Sequence, residues 1–358
     1  MQHTRIYSEG KFAPLVLPTL REHGLLIALV SVYVLIALGL SEIYAPALDT
    51  QVGLTLFWKF IDHVPGMVYL VLMWRFLHMR YVVRPADQMA WFKADIRQAI
   101  SDPQRIVTAG IGLVIAIAIM ASFAQLKKII PILNPFSWDP SLADLDRFLH
   151  FGMDPGVALH TVFGHPWVVT LFTGAYNYWM FLLYFSLVFT CFSLARPRAR
   201  IRYFIAFVFC WGFGGNLIAT LFSSVGPVYY ERFGFGDDFV PLMQLLAEHA
   251  KTQPISALEP QDTLWWLYSG PVGLNGISAF PSMHVASTVL MTLYAYQYSR
   301  LLGRIMTGFS VVIMIGSVLL AWHYAVDGYA GAVIAIASWW AAGALMRRFP
   351  RWVPQEQR

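Results

Sequence analysis

The chain has 358 residues, of which 58% are hydrophobic and only 13% charged, with a mean hydropathy of +0.56. A soluble domain carries about 25% charged residues, so this composition excludes a soluble globular protein and points to one that crosses a membrane several times. The net charge of +5 comes without a long Lys/Arg run, which argues for basic loops beside a membrane and against a nucleic-acid partner.

Residues 1–23 are mixed polar and read as a loose or interfacial arm. The first predicted span runs from Gly24 to Leu40 and extends to about residue 44. Ala45-Pro46-Ala47 faintly resembles a cleavage site, but the polar stretch and apolar run before it are long, so an uncleaved helix is expected. The second span, about 54–76, carries Lys59, Asp62 and His63 in its first half. Ionisable groups at that depth are functional candidates; a plain Lys59–Asp62 ion pair at i,i+3 is the alternative. Residues 77–105 are polar and basic, with Trp91, Phe92, Ile96 and Ile100 at helical spacing, as in a helix lying on a membrane surface.

The third span is Ile106 to Ala124, followed by a long loop, 125–166, rich in Asp, Pro and His. It includes Trp138, Asp139, Asp144, Asp146, Asp154 and Pro155, and its length suits a lid or a functional loop. Spans four and five, about 167–194 and 203–222, are joined by Arg196, Arg198, Arg200 and Arg202. A second long loop, Ser223 to Ser278, holds Gly226-Pro227-Val228-Tyr229-Tyr230-Glu231-Arg232 and an amphipathic helix at about 239–251. Span six opens at Phe280-Pro281 and ends near Tyr298, span seven covers about 304–321, and span eight about 323–346, closing at Arg347-Arg348.

The expected fold class is therefore all-α, with about eight transmembrane helices and no internal repeat. The two cysteines, Cys191 and Cys210, both fall in apolar segments and make neither a disulfide framework nor a zinc site. With the N-terminus inside, 19 Lys/Arg lie in the inner segments and five in the outer loops, with Lys59 inside a span. That asymmetry puts both termini in the cytoplasm. The expected location is the plasma (inner) membrane, with the outer loops facing the periplasm, the exterior or an organelle lumen.

Phe280-Pro281-Ser282-Met283-His284-Val285 and His323-Tyr324-Ala325-Val326-Asp327 sit at the mouths of apolar segments, where a lipid-facing helix has no use for imidazole or carboxylate. At 1.5 Å per residue, about 18–20 residues cross a hydrocarbon core of about 30 Å. One trip down and one back uses the 39 residues between His284 and His323, so both should reach the same, outer surface. Pro281 suits the first helical position, and a helix opening at Ser282 offers free N–H groups and a hydroxyl to an anion. His284 is placed to give a proton to a leaving oxygen. Asp327, four residues after His323, can hold one ring nitrogen and leave the other free to attack phosphorus. Two histidines and an aspartate could instead bind zinc, but no fourth ligand is evident, and neither metal nor cofactor is expected.

At these residues the chain resembles the type-2 phosphatidic-acid phosphatase superfamily. Its Pro-Ser-x-His motif is matched by Pro281 to His284, and its His-x-x-x-Asp by His323 and Asp327. The resemblance implies a six-helix core, here residues 106–346, preceded by an arm with two further spans and an interfacial helix (1–105) and followed by a cytoplasmic tail (347–358). It also implies a phosphohistidine on His323, proton donation by His284, positioning by Asp327 and no metal requirement.

Two departures stand out. The phosphatase pattern has an Arg six residues before the nucleophilic His, where this chain has Ser317, and its Lys-x6-Arg-Pro motif is missing. The His-Tyr-x-x-Asp stretch is closer to lipid phosphotransferases of the inositol-phosphorylceramide synthase and sphingomyelin synthase type. Candidates to bind the phosphate in place of the arginines are Ser282, Arg232 with Tyr229 and Tyr230, and Lys59. Interfacial aromatics and a solvated loop charge are the plain readings of Tyr229, Tyr230 and Arg232. The expected activity is transfer of a phospho-head group or phosphoryl group from a donor phospholipid to a lipid alcohol. Hydrolysis of a lipid phosphate, such as phosphatidate or a polyprenyl (di)phosphate, is the alternative. A silent scaffold or a transporter on the same fold is a third reading. The expected partners are membrane lipids; the oligomeric state stays open.

Overall fold

The computed structural model describes residues 12–44, 50–252, 258–270 and 276–355. Among them the chain is helical and without strands. The N-terminal part holds α1 (Ala13–Glu22), α2 (Gly24–Tyr44), α3 (Thr50–His78), α4 (Gln88–Ser101) and α5 (Pro103–Leu133). Next come α6 (Asp139–Leu149), α7 (Pro155–Phe163) and α8 (Pro166–Phe192). After α9 (Pro197–Val208) a π-wound stretch, Phe209–Ile218, leads into the short α10 (Ala219–Leu221). The last part holds α11 (Val240–Thr252), α12 (Leu258–Ser269), α13 (Met283–Ala295), α14 (Arg300–Leu319) and α15 (Ala325–Arg348). Six described segments are long and apolar enough to cross a membrane: α2, α5, α8, Pro197–Leu221, α14 and α15. The protein is a multi-pass membrane protein.

Aspartate–proline pairs start two of these helices. Asp102 accepts from Gln104 N at 3.0 Å with Pro103 following, and Asp154 accepts from Gly156 N at 2.8 Å with Pro155 following. Such a side chain satisfies an orphan N–H, and proline at the first position has no N–H to lose. Much of the two predicted long loops is therefore helical, including the amphipathic helix expected at about 239–251, which is α11. The 125–166 stretch is the end of α5 plus α6 and α7, and 223–278 carries α11 and α12. Lys127 and Lys128 lie inside α5, which continues to Leu133 because two cations near a membrane boundary do not break helical hydrogen bonding. Likewise, Arg198, Arg200 and Arg202 belong to α9, where Arg200 is buried, and are not a connecting loop.

Lipid tails are as apolar as leucine, so helices in a bilayer associate through close packing of small residues. α13 is central: it packs on α14 and α15, and also on α8 and α9. Gly331 of α15 lies so close to the start of α13 that a Cβ there would be 2.5 Å from the Ser282 carbonyl oxygen. Gly328, one turn earlier, lies against Met314 and Val285. These glycines bring the first turns of α13 and α15 together, which positions the site.

Candidate active site

His284 stands on the first turn of α13. Ser282 caps that helix, its hydroxyl oxygen accepting from Val285 N at 3.4 Å, and its own N–H donates to the Asp327 carbonyl at 3.0 Å. Pro281 therefore precedes the cap and does not occupy the first helical position. The Ser282 hydroxyl is fully buried and engaged in capping.

His323 is not on a helix, although the predicted span eight begins at about residue 323. It sits in the turn between α14 and α15, where Ala321 takes a φ of 59° and His323 N donates to the Ser317 carbonyl at 3.1 Å. Ser317, where the phosphatase pattern has an arginine, thus underlies His323, and its hydroxyl donates to the Met314 carbonyl at 2.8 Å. Asp327, on the first turn of α15, reaches back. One carboxylate oxygen lies 3.2 Å from His323 Nδ1 and 3.1 Å from Tyr324 N. As a carboxylate it can only accept, so Nδ1 carries the proton and Nε2 keeps its lone pair. Nε2 faces His284 Nδ1 at 3.4 Å, with the ring centroids 5.5 Å apart.

Aromatic side chains wall this pair. Tyr176 stacks on His284 at 4.4 Å, Trp179 lies 4.1 Å from it, and Trp322 stacks on Tyr176 at 6.2 Å. The Trp179 indole N–H donates to Ser287 at 2.7 Å, which fixes its ring. His323 is 5% exposed and Asp327 not at all, so a reaction here would be shielded from bulk water. Burial lowers the His323 imidazole to about 3; the charge of Lys127 acts in the same direction, and a backbone hydrogen bond with Ala279 opposes it. A neutral imidazole is the form that can act as a nucleophile.

Two aspartates of α6 hold the turn from outside. Asp146 accepts from Ala325 N and Val326 N, each at 3.0 Å, and so caps α15 from a distant part of the chain. Asp139 accepts from Val225 N at 2.9 Å, Gly226 N at 2.9 Å and the Tyr324 hydroxyl at 2.9 Å. Burial raises both carboxyls, Asp139 to about 6, against the pull of these hydrogen bonds. Gly226, with φ +84°, runs so close to the site turn that a Cβ would sit 2.7 Å from the Trp322 carbonyl oxygen.

The structure brings His284, His323 and Asp327 together. It does not bring in the other proposed phosphate ligands through any contact among the described residues. Arg232 pairs with Asp262 at 2.8 Å and lies over Trp265, the Tyr229 hydroxyl donates to the Gln261 carbonyl at 2.8 Å, and Tyr230 packs on Phe235 and Phe239. The side chain of Lys59 lies outside the described residues. In the sequence Tyr176, Trp179 and Trp322 read as ordinary membrane aromatics, and Lys127 reads as a loop charge. Asp139 and Asp146 were noticed only as members of an acidic loop. Among the described residues no group of three His, Cys, Asp or Glu side chains is arranged to hold a metal ion.

A profile of the PAP2 superfamily matches residues 140–341, from α6 to near the end of α15. The chain belongs to the PAP2 superfamily. No curated protein and no solved structure matches it. Membership assigns it to a class of membrane lipid phosphatases and phosphotransferases, and the paired imidazoles stand in the part of the chain that the profile spans.

Proposed function

We propose that the protein is a lipid phosphotransferase that works by double displacement on His323, on the outer face of the plasma membrane with both termini in the cytoplasm. The observation that carries the reading is the ordered chain Asp327–His323–His284, with Nδ1 of His323 on the carboxylate and Nε2 turned to the second imidazole. In the first step the Nε2 lone pair forms a bond to phosphorus. The bond from phosphorus to the donor's leaving oxygen breaks, and protonated His284 gives that oxygen its proton. In the second step a lipid alcohol attacks the phosphohistidine and gives its proton to His284, while the N–P bond breaks and returns the electron pair to His323. The first displacement releases the donor's lipid alcohol; the second forms a new phospholipid.

Two features favour an alcohol over water as acceptor. Tyr176, Trp179 and Trp322 give the site apolar walls. The His-Tyr-x-x-Asp stretch and Ser317 in place of arginine are similar to the inositol-phosphorylceramide and sphingomyelin synthase branch. The test is purified protein with a head-group-labelled phospholipid, with and without added diacylglycerol or ceramide. A transferase forms a new labelled phospholipid only with the added alcohol and loses this on His323→Ala. Phosphate release from a lipid phosphate without acceptor would instead make it a phosphatase. No turnover on any donor would support the scaffold or transporter reading.

A further inference from the structure

A phosphate entering a site this dry needs a positive charge and hydrogen-bond donors, because its desolvation is otherwise uncompensated. The positions that carry arginine in the phosphatase pattern do not supply one here, and the outer-side Arg147 and Arg232 are held by Asp238 and Asp262. Lys127 is in a different situation. It lies one turn beyond Phe123 on α5, and Phe123 and Met283, the neighbour of His284, both press on Gly215. The backbone at Gly276 crosses its stem so closely that a Cβ there would lie 2.7 Å from Cγ of Lys127. Its ammonium sits 5.9 Å from the Phe123 ring centroid, and its charge bears on both His284 and His323. Among the described residues no carboxylate pairs with it.

Two donors in the wall around His284 are also idle. The indole N–H of Trp322 and the hydroxyl of Tyr176 are buried without a hydrogen-bond partner, although both rings stack in the wall around His284. Buried donors without partners are uncommon and call for an explanation such as a missing ligand. A cation that no described carboxylate pairs with, whose charge reaches both imidazoles, together with two idle donors in the wall around His284, has the composition of an oxyanion pocket.

We infer that Lys127, with the Trp322 indole N–H and the Tyr176 hydroxyl, binds the phosphate oxygens of the lipid substrate and takes over the part of the absent arginines. The inference rests on the reading of His323 as nucleophile, but its test can fail separately. One ammonium balances one negative charge, so a phosphodiester head group fits this pocket better than a doubly charged monoester.

The test compares wild type with Lys127→Gln, Lys127→Arg and Trp322→Phe. Lipid transfer is measured with the labelled donor, and orthovanadate binding by displacement of a donor lipid analogue. Removing a charged oxyanion partner costs about 100-fold or more. Lys127→Gln is therefore expected to lose about 100-fold in kcat/KM and in vanadate affinity. Lys127→Arg should recover most of both, and Trp322→Phe, which keeps the ring and removes only the N–H, should lose a smaller factor. Wild-type turnover with Lys127→Gln within threefold in both readouts refutes the pocket and leaves the transferase reading standing. If wild type turns over no donor, that reading falls. Vanadate binding lost in Lys127→Gln and kept in Lys127→Arg would then still support the pocket, and binding equal in all forms would overturn it.

Discussion

Asp327→Asn alters the site with the least disturbance to packing. The carboxylate is fully buried and one oxygen serves both His323 Nδ1 and Tyr324 N, at 3.2 and 3.1 Å. Asparagine has the same shape but offers one oxygen and one NH2 group. If the NH2 group takes the place of that shared oxygen, it turns a donor toward Nδ1 and leaves Tyr324 N without its acceptor. The imidazole then carries its proton on Nε2 and loses the lone pair aimed at phosphorus. The fold should lose about 1 kcal/mol, the worth of one ordinary hydrogen bond. Catalysis should lose far more, since the same exchange in other acid–imidazole pairs costs on the order of 10⁴-fold. Initial rates of labelled head-group transfer, measured at several donor concentrations, separate kcat from KM. A fall of about 10³- to 10⁴-fold in kcat with little change in KM is expected. A variant that keeps its thermal stability and more than a tenth of wild-type kcat would refute the positioning of His323 by Asp327.

Three further outcomes follow from the same geometry. Burial holds the His323 imidazole at about 3 against an ordinary 6.5, so its lone pair stays available as the medium is acidified. The acid limb of kcat/KM for the nucleophile should fall below about pH 5, and a His323 ring that titrates near 6.5 by NMR in the intact protein would contradict this. The sign for stability is opposite: the unfolded chain takes up that proton first, so this group destabilises the fold as pH falls from 6.5 toward 3. Asp146→Ala strips Ala325 N and Val326 N of their acceptor, which should cost about 2–4 kcal/mol and lower the melting temperature in detergent together with kcat. Gly331→Ala would set a Cβ 2.5 Å from the Ser282 carbonyl oxygen, forcing α13 and α15 apart at a cost of about 1–3 kcal/mol; unchanged melting and activity would mean that this approach does not position the site.

Much of the membrane architecture was legible, because long apolar runs have few other uses and a bilayer's thickness sets their length. The same constraint related His284 to His323 across 39 residues. What it could not convey was how His323 is held. The residue lies in a turn outside the helix, and its neighbours Ala325 and Val326 are capped by Asp146, about 180 positions earlier in the chain. Such a cap has no local signature, so Asp139 and Asp146 looked like part of an acidic loop. Apolarity alone is a poor measure of where α5 ends, which hides Lys127. The predicted third span stops at Ala124, short of Lys127-Lys128, while Ile129, Ile130 and Leu133 carry the helix on. An apolar run resuming directly after two lysines was the available signal. Arg232 stood out for the opposite reason, as a cation near two tyrosines, but Asp262, thirty residues later, holds it.

The proposed double displacement requires that phosphorus be bonded for a time to His323. Rapid quenching of wild-type protein with a 32P-labelled donor phospholipid, without acceptor, followed by digestion and peptide mapping, addresses it directly. Acid-labile, base-stable label is expected on the peptide that contains His323, chased off by added lipid alcohol and absent from His323→Asn. Steady transfer by wild type with no protein-bound label, together with transfer by His323→Asn, would contradict it.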